Sequence, residues 1–185
     1  DVTNQADIDR VVDRILDEDG VISCLVNNAG FGQFGPIEDV PIEQAEKQYA
    51  VNVHGPHRLI RAVLPHMRRE ERGTIINISS VAGRVSFPGG GTYCGSKFAL
   101  EAMSDALRAE VQEFGIDVVL IEPGPVQTNF SERAGTEVDA VERSGAYEEF
   151  YGIFDDTEAV GGDGPGSVSP QRVAEDILNV ASATK

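Results

Sequence analysis

Three short strand-like runs, each closed by a polar or glycine-rich motif, constrain this chain more than any other feature. They are Val21–Val26, Thr74–Ile78 and Ile116–Ile121. Dense in Val and Ile and lacking strict polar alternation, they have the pattern of strands buried on both faces. The segments between them carry helical periods. Ile8, Val11, Val12, Ile15 and Leu16 form one amphipathic stripe, with Thr3 or Asn4 as N-cap and Gly20 as the stop. A long helix is predicted from Ile42 to Arg72, with Val53, Leu59, Ile60, Val63, Leu64 and Met67 on its apolar face. Pro56 and Pro65 are expected to bend or interrupt it. A third helix spans Thr92–Phe114, with Leu100, Leu107 and Val111 on one face and Ala99, Ala102, Ala106 and Ala109 on another, and Gly115 caps it. A last helix is expected over Pro170–Ser182. This alternation predicts an α/β fold: a doubly wound, Rossmann-like parallel sheet with helices on both faces and right-handed crossovers.

A chain of 185 residues fits one domain. From Ser131 to Ser169 the sequence is acidic, glycine-rich and weakly periodic; short helices are expected near Val138–Ser144 and Tyr147–Phe154, and a flexible stretch at Gly161–Gly166. The 31 acidic and 15 basic residues leave a net charge of −16. That balance argues against nucleic acid and anionic membrane as partners, because both need a positive surface. No apolar run reaches the ~18–20 residues of a spanning helix and no signal-peptide pattern opens the chain, so a cytoplasmic location is expected. Two cysteines without a Cys/His cluster imply neither a disulfide scaffold nor a metal site. Among the basic residues, 12 are Arg and only Lys47, Lys97 and Lys185 are Lys. An acid-rich, Lys-poor surface suits solubility at high salt; an ordinary acidic cytoplasmic protein fits the same counts.

In parallel sheets ligands collect at the C-terminal ends of the strands. Asn27-Asn28-Ala29-Gly30, Ser79-Ser80 and Pro123-Gly124 with Thr128 all fall there. Tyr93 and Lys97, at i and i+4, share one face of the third helix. A phenol titrates near 10, and a neighbouring ammonium favours the phenolate; lowering it to about 7 needs about 4 kcal/mol, within reach of a partly desolvated site. The pair can then serve as general acid/base for an alcohol or carbonyl, although by spacing alone it also reads as an ordinary helix-surface couple. Ser80, at a strand end, can hydrogen-bond a substrate oxygen, and reads equally as a turn serine. Asn52 lies mid-helix just before Gly55-Pro56, where a local break would free backbone groups for water; a solvent-facing Asn is the plainer alternative. Phe31, Phe34, Phe87, Phe130, Tyr147, Phe150, Tyr151 and Phe154 line an apolar pocket or pack the core.

The ordered set Asp1-Val2, Asn27-Asn28-Ala29-Gly30, Asn52, Ser80, Tyr93-x-x-x-Lys97 and Pro123-Gly124-x-x-x-Thr128 resembles the single-domain short-chain dehydrogenase/reductases, over Asp1 to about Phe130. The resemblance implies an NAD- or NADP-dependent oxidoreductase that transfers a hydride between the nicotinamide and an alcohol or ketone carbon. It makes Tyr93 the acid/base and Lys97 the residue that lowers its pKa and holds the nicotinamide ribose. Ser80 becomes the substrate-orienting serine and Asn52 the anchor of a relay water. Asn27, Ala29 and Gly30 are implied beside the adenine ribose, Asp1 and Val2 at the adenine ring, and Pro123, Gly124, Val126 and Thr128 at the nicotinamide end.

The resemblance also sets boundaries: 1–130 as cofactor and catalytic core, 131–169 as substrate-loop region, 170–185 as C-terminal helix. The family's opening strand and glycine-rich pyrophosphate turn have no match here, so the expectation is a domain lacking its first βαβαβ block. Ser96-Lys97-Phe98-Ala99-Leu100-Glu101 looks closer to the hydroxysteroid and retinol dehydrogenase branch, which implies an apolar small-molecule substrate. A homodimer or homotetramer is implied for the parent protein. A relative that keeps the fold as a non-catalytic binding or scaffold module is the alternative.

Overall fold

The structure, a computed structural model, describes residues 1–139, 141–154 and 166–183. Helix α1 (Gln5–Asp19) begins at Asn4, whose side chain accepts hydrogen bonds from the backbone N–H groups of Ala6 and Asp7, and ends at Gly20 in the left-handed conformation. Strand β1 (Cys24–Asn27) follows, then α2 (Ile42–Tyr49), α3 (Gly55–Arg69) and β2 (Gly73–Ile78). Helix α4 (Gly91–Val111) tightens into a short 3₁₀ turn over Gln112–Phe114 and leads to β3 (Ile116–Ile121). Gly115 between them has φ +67°, and a Cβ there would lie 2.4 Å from the Glu71 carbonyl oxygen, so only glycine fits this reversal. Helices α5 (Phe130–Asp139), α6 (Glu148–Phe154) and α7 (Pro170–Ala183) complete the described elements.

The strands form a parallel sheet in the order β1-β2-β3. Register aligns Leu25 with Ile75 and Ile75 with Val118. These residues share one face with Asn77, because side chains alternate along a strand. On that face Ile75 and Val118 pack with Ile8 and Val12 of α1, Ile60, Val63 and Met67 of α3, and Val111 of α4. The other face carries Thr74, Ile76 and Val119, and α7 lies against it; its Val180 and Ala183 share a cleft of about 500 Å³ with Thr74 and Val119. This is the doubly wound, Rossmann-like arrangement, with helices on both faces.

Three departures have local causes. The first strand is shorter than Val21–Val26 and is not fully buried: β1 has one strand neighbour among the described residues, and Val26 at this edge is 38% exposed. The helix expected over 42–72 is two helices joined by a π turn at Ala50–His54; Pro56 falls in the first turn of α3, where its missing N–H costs nothing, and Pro65 lies inside α3 without ending it. The helix expected near Val138–Ser144 instead occupies Phe130–Asp139. Among its described side chains the buried ones are Ala134 and Val138, too sparse to read as a period, and Thr128 Oγ1 accepts from the Phe130 N–H at its start (3.2 Å). Gly161–Gly166 lies outside the described residues apart from Gly166, and α6 starts one residue after the expected Tyr147.

Candidate active site

The π turn turns Asn52 inward, so the side chain is buried rather than solvent-facing. Its Nδ2 donates to the Phe31 carbonyl (2.9 Å) and to Ser96 Oγ (3.1 Å), and its Oδ1 accepts from the Phe31 N–H (3.2 Å). The side chain thus pairs with the backbone of the loop after β1 as a neighbouring strand would. Ser96, in the middle of α4, passes the link on by donating to the Tyr93 carbonyl (2.7 Å). Gln33, further along the same loop, donates its backbone N–H to Gln48 Oε1. The loop that carries Gly30 is therefore held to both α2 and the π turn.

Lys97 is buried one turn beyond Tyr93. Its Nζ donates to the carbonyl of Ile78, the last residue of β2 (2.8 Å), and stands 5.9 Å from the centre of the Tyr93 ring. A Cβ placed on Gly30 would lie 3.2 Å from Asn52 Oδ1 and 3.8 Å from Lys97 Nζ. The exposed backbone of Ala29 and Gly30 thus lies beside the lysine, with no side chain at position 30 to cover it.

Tyr93 is packed by Phe34 and Phe130, with ring centres 5.2 and 5.7 Å away, and Phe34 stacks in turn on Phe87 at 6.2 Å. Ser80 is the N-cap of the Val81–Gly83 turn, accepting from the Ala82 N–H (3.1 Å). Its hydroxyl reaches the Pro123 carbonyl at 3.5 Å and lies close enough to the Tyr93 phenol to act on its pKa. Burial raises the Tyr93 pKa above its usual value, the neighbouring Ser80 hydroxyl opposes that, and Cys94 adds to it. The lowering by Lys97 expected from the spacing is not what this geometry gives. The ammonium is turned to the Ile78 carbonyl, and the two aromatic rings keep water from the phenol. Lys97 itself is brought down to about 8 by burial, against the opposing charge of Glu101.

The other expected site residues are placed as follows. Asp1 is exposed, and its carboxylate accepts from the Thr3 N–H and hydroxyl (2.8 and 2.9 Å). Val2 packs on Gly55, where a Cβ would meet it at 3.0 Å, behind the π turn. The Asn27 side chain is buried in the sheet and donates to Asn77 Oδ1 (2.7 Å), which leaves Asn28, Ala29 and Gly30 as the accessible part of that motif. Pro123 is fixed by the Val81 N–H, which donates to its carbonyl (3.0 Å), and Gly124 is exposed. Val126 bridges to Val168, and Thr128 caps α5, whose Phe130 lies on Tyr93. Of the aromatic residues, Phe34 and Phe130 surround Tyr93, while Phe31 lies between Lys47 (5.3 Å) and Arg133 (5.4 Å). Tyr151 is buried and donates to Asp39 (2.9 Å). The Phe154 side chain lies outside the described residues.

Sequence reasoning missed Ser96 and Glu101, a buried acid one turn beyond Lys97. The i+4 step from Lys97 was the available signal for Glu101. Asn52, Ser80, Tyr93 and Lys97 meet at the C-terminal end of β2, a constellation that defines a candidate site for proton transfer to or from the oxygen of a bound alcohol or carbonyl.

Comparison with known proteins agrees with that class. The family model for short chain dehydrogenases matches residues 1–139, and the chain belongs to this family. It is 43% identical over 133 residues to the uncharacterized oxidoreductase YbbO of Escherichia coli, covering 71% of this chain and 49% of YbbO. A short-chain dehydrogenase from Streptomyces avermitilis superposes with a TM-score of 0.80 at 36% identity, covering 97% of this chain and 63% of that one. A gluconate 5-dehydrogenase from Burkholderia cenocepacia, solved with NADP and tartrate, gives 0.69 at 28% identity over 72% of this chain and 52% of its own. The chain spans about half the length of the curated relatives it matches.

Proposed function

We propose that this chain carries the catalytic centre of an NAD- or NADP-dependent oxidoreductase that interconverts an alcohol and a carbonyl compound. The observation that carries the reading is the meeting of Ser80 and Tyr93 at the end of β2, where the buried Lys97, one helical turn on, donates to the Ile78 carbonyl (2.8 Å). The residues fit a nicotinamide dinucleotide. Lys97 spends one of its three N–H donors on Ile78, leaving two for a ribose diol, and Gly30 offers a face without a side chain beside it. The dinucleotide bound to the gluconate 5-dehydrogenase supports the same assignment. Ala29, Gly30 and Lys97 would hold the ribose side, with Pro123, Gly124, Val126 and Thr128 toward the nicotinamide and Asp1 and Val2 toward the adenosine, while the buried Asn27 anchors the loop to the sheet.

The bound cofactor would supply or accept the hydride. Tyr93, a phenol whose burial further favours the protonated form, donates its proton to the carbonyl oxygen during reduction. Ser80 holds that oxygen by a hydrogen bond and keeps the phenol aimed at it. Lys97 and Asn52 set the electrostatics and the position of the loop behind the phenol. Phe34, Phe87 and Phe130 form an aromatic wall beginning at Tyr93, which suits an apolar substrate. We also propose a homodimer or homotetramer built on α3 and α4, because Phe98 and the alanines at 102, 106 and 109 leave an exposed small-residue face on α4. Light scattering that gives a stable monomer would exclude that assembly.

The test of the catalytic reading is Tyr93→Phe in the complete polypeptide carrying this sequence, assayed for NADH- or NADPH-linked turnover of a carbonyl panel. Turnover should fall by about 100-fold or more, the usual share of general acid catalysis. Undiminished turnover sinks the assignment.

A further inference from the structure

Glu101 has no place in the reaction outlined above, yet it is 4% exposed. A buried carboxylate is costly unless paired. Its partner is Arg84, whose guanidinium stands 3.0 Å from Glu101 and also binds Glu122 through Nη2 (2.9 Å) and Nε (3.2 Å). The three residues come from different segments, and each segment carries part of the site. Glu101 lies on α4, the helix of Tyr93 and Lys97; Glu122 directly precedes Pro123; and Arg84 closes the turn that begins at Ser80. Contact between turn and helix is close. A Cβ on Gly83 would lie 2.9 Å from Glu101 Cγ and 2.8 Å from Ser79 Oγ, so the turn lies flat on Glu101 only because position 83 is glycine.

We propose that Arg84 and Glu101 are positioning residues for Ser80: together they clamp the turn that bears its hydroxyl against the helix that bears Tyr93. This rests on the reading of Ser80 and Tyr93 given above. The geometry supports it from two sides. The Val81 N–H donates to the Pro123 carbonyl (3.0 Å), and Arg84 holds Glu122 next to it, so the turn is fixed to the end of β3 as well as to α4. A two-pronged guanidinium can hold two carboxylates at once; an ammonium on a flexible stem cannot reproduce that geometry.

The test follows the Tyr93 Cζ resonance at neutral pH in protein labelled with ¹³C-tyrosine. The chain has 4 tyrosines, and Tyr93→Phe identifies the resonance. Ser80→Ala should displace it. Arg84→Met should displace it in the same direction by at least half as much, and Arg84→Lys by less. The Ser80→Ala/Arg84→Met double variant should match Ser80→Ala alone, since Arg84 acts through Ser80. Should Arg84→Met fail to fold, Arg84→Lys and Glu101→Gln complete the same cycle. If Ser80→Ala moves Tyr93 but the Arg84 and Glu101 variants do not, or if the displacements simply add, the clamp is overturned while the Ser80–Tyr93 contact stands. If Ser80→Ala leaves the resonance in place, the site reading itself falls.

Discussion

The ammonium of Lys97 donates a 2.8 Å hydrogen bond to the carbonyl of Ile78. One contact joins the helix that carries Tyr93 to the last residue of the central strand, and it requires burying a charged group. Burial brings the Lys97 pKa from its usual 10.5 to about 8. The sign follows from linkage. Between about pH 8 and 10.5 the unfolded chain binds more protons at this site than the folded one, so this group makes stability rise with pH through that window and weakens the fold below it. The strain present at neutral pH is on the order of 3 kcal/mol. The stability difference between wild type and Lys97→Met, measured by denaturant melts at pH 7 and pH 10, should shift toward the wild type at the higher pH. A difference independent of pH would show that the ammonium is not desolvated.

The raised pKa of Tyr93 gives the two reaction directions opposite pH profiles. Carbonyl reduction needs the protonated phenol and should hold its rate through neutral pH. Alcohol oxidation needs the phenolate and should climb as pH rises toward the range above 10, where Tyr93 ionises. Initial rates in both directions across pH 6 to 10 provide the check, and an oxidation rate already level at pH 7 would place the phenol far lower.

Gly30 lies over both Asn52 and Lys97, so Gly30→Ala adds a methyl 3.2 Å from Asn52 Oδ1. That spacing is tighter than ordinary carbon–oxygen contact, and the Asn52 amide must give way. The expected result is a loss of about 1 kcal/mol in stability together with weakened nicotinamide-dinucleotide affinity, read by fluorescence titration. Unchanged affinity would remove Gly30 from the cofactor face.

Ser96→Ala removes the acceptor of one Asn52 hydrogen bond and the donor to the Tyr93 carbonyl. Asn52 keeps its bonds to Phe31, so the chain should still fold, destabilised by about 1–3 kcal/mol as a buried amide loses a partner. Restoration by Ser96→Thr, and not by Ser96→Val, separates the hydrogen bond from the packing.

A net charge of −16 on 185 residues repels itself at low ionic strength. Exposed ion pairs such as Arg14–Glu18 and Arg10–Asp7 offset little of this. The melting temperature should rise between low and molar KCl as screening shortens the range of the repulsion. Indifference to salt would remove the case for a protein adapted to high salt.

Much of the architecture was legible because it rests on periodicity. The stripe from Ile8 to Leu16 and the runs around Ile75 and Val118 place three layers of side chains against one another through local rules alone. The motif at Tyr93 and Lys97 was legible because a helix puts i and i+4 on one face. The helix at Phe130–Asp139 was not, since two buried residues, Ala134 and Val138, make no period.

The sequence by itself determined the strand–helix order, the parallel sheet and the polar residues that gather at its C-terminal edge. Only the tertiary structure decided which way each side chain turns and what it costs to be there. A π turn buries Asn52 where a regular helix would have exposed it, two rings dry the Tyr93 phenol and raise its pKa, and Arg84 finds Glu101 across 17 positions of chain. Periodicity is a property of neighbours along the backbone. Desolvation and ion pairing depend on what packs from elsewhere, and they enter only once the sheet and its helices have closed around the site.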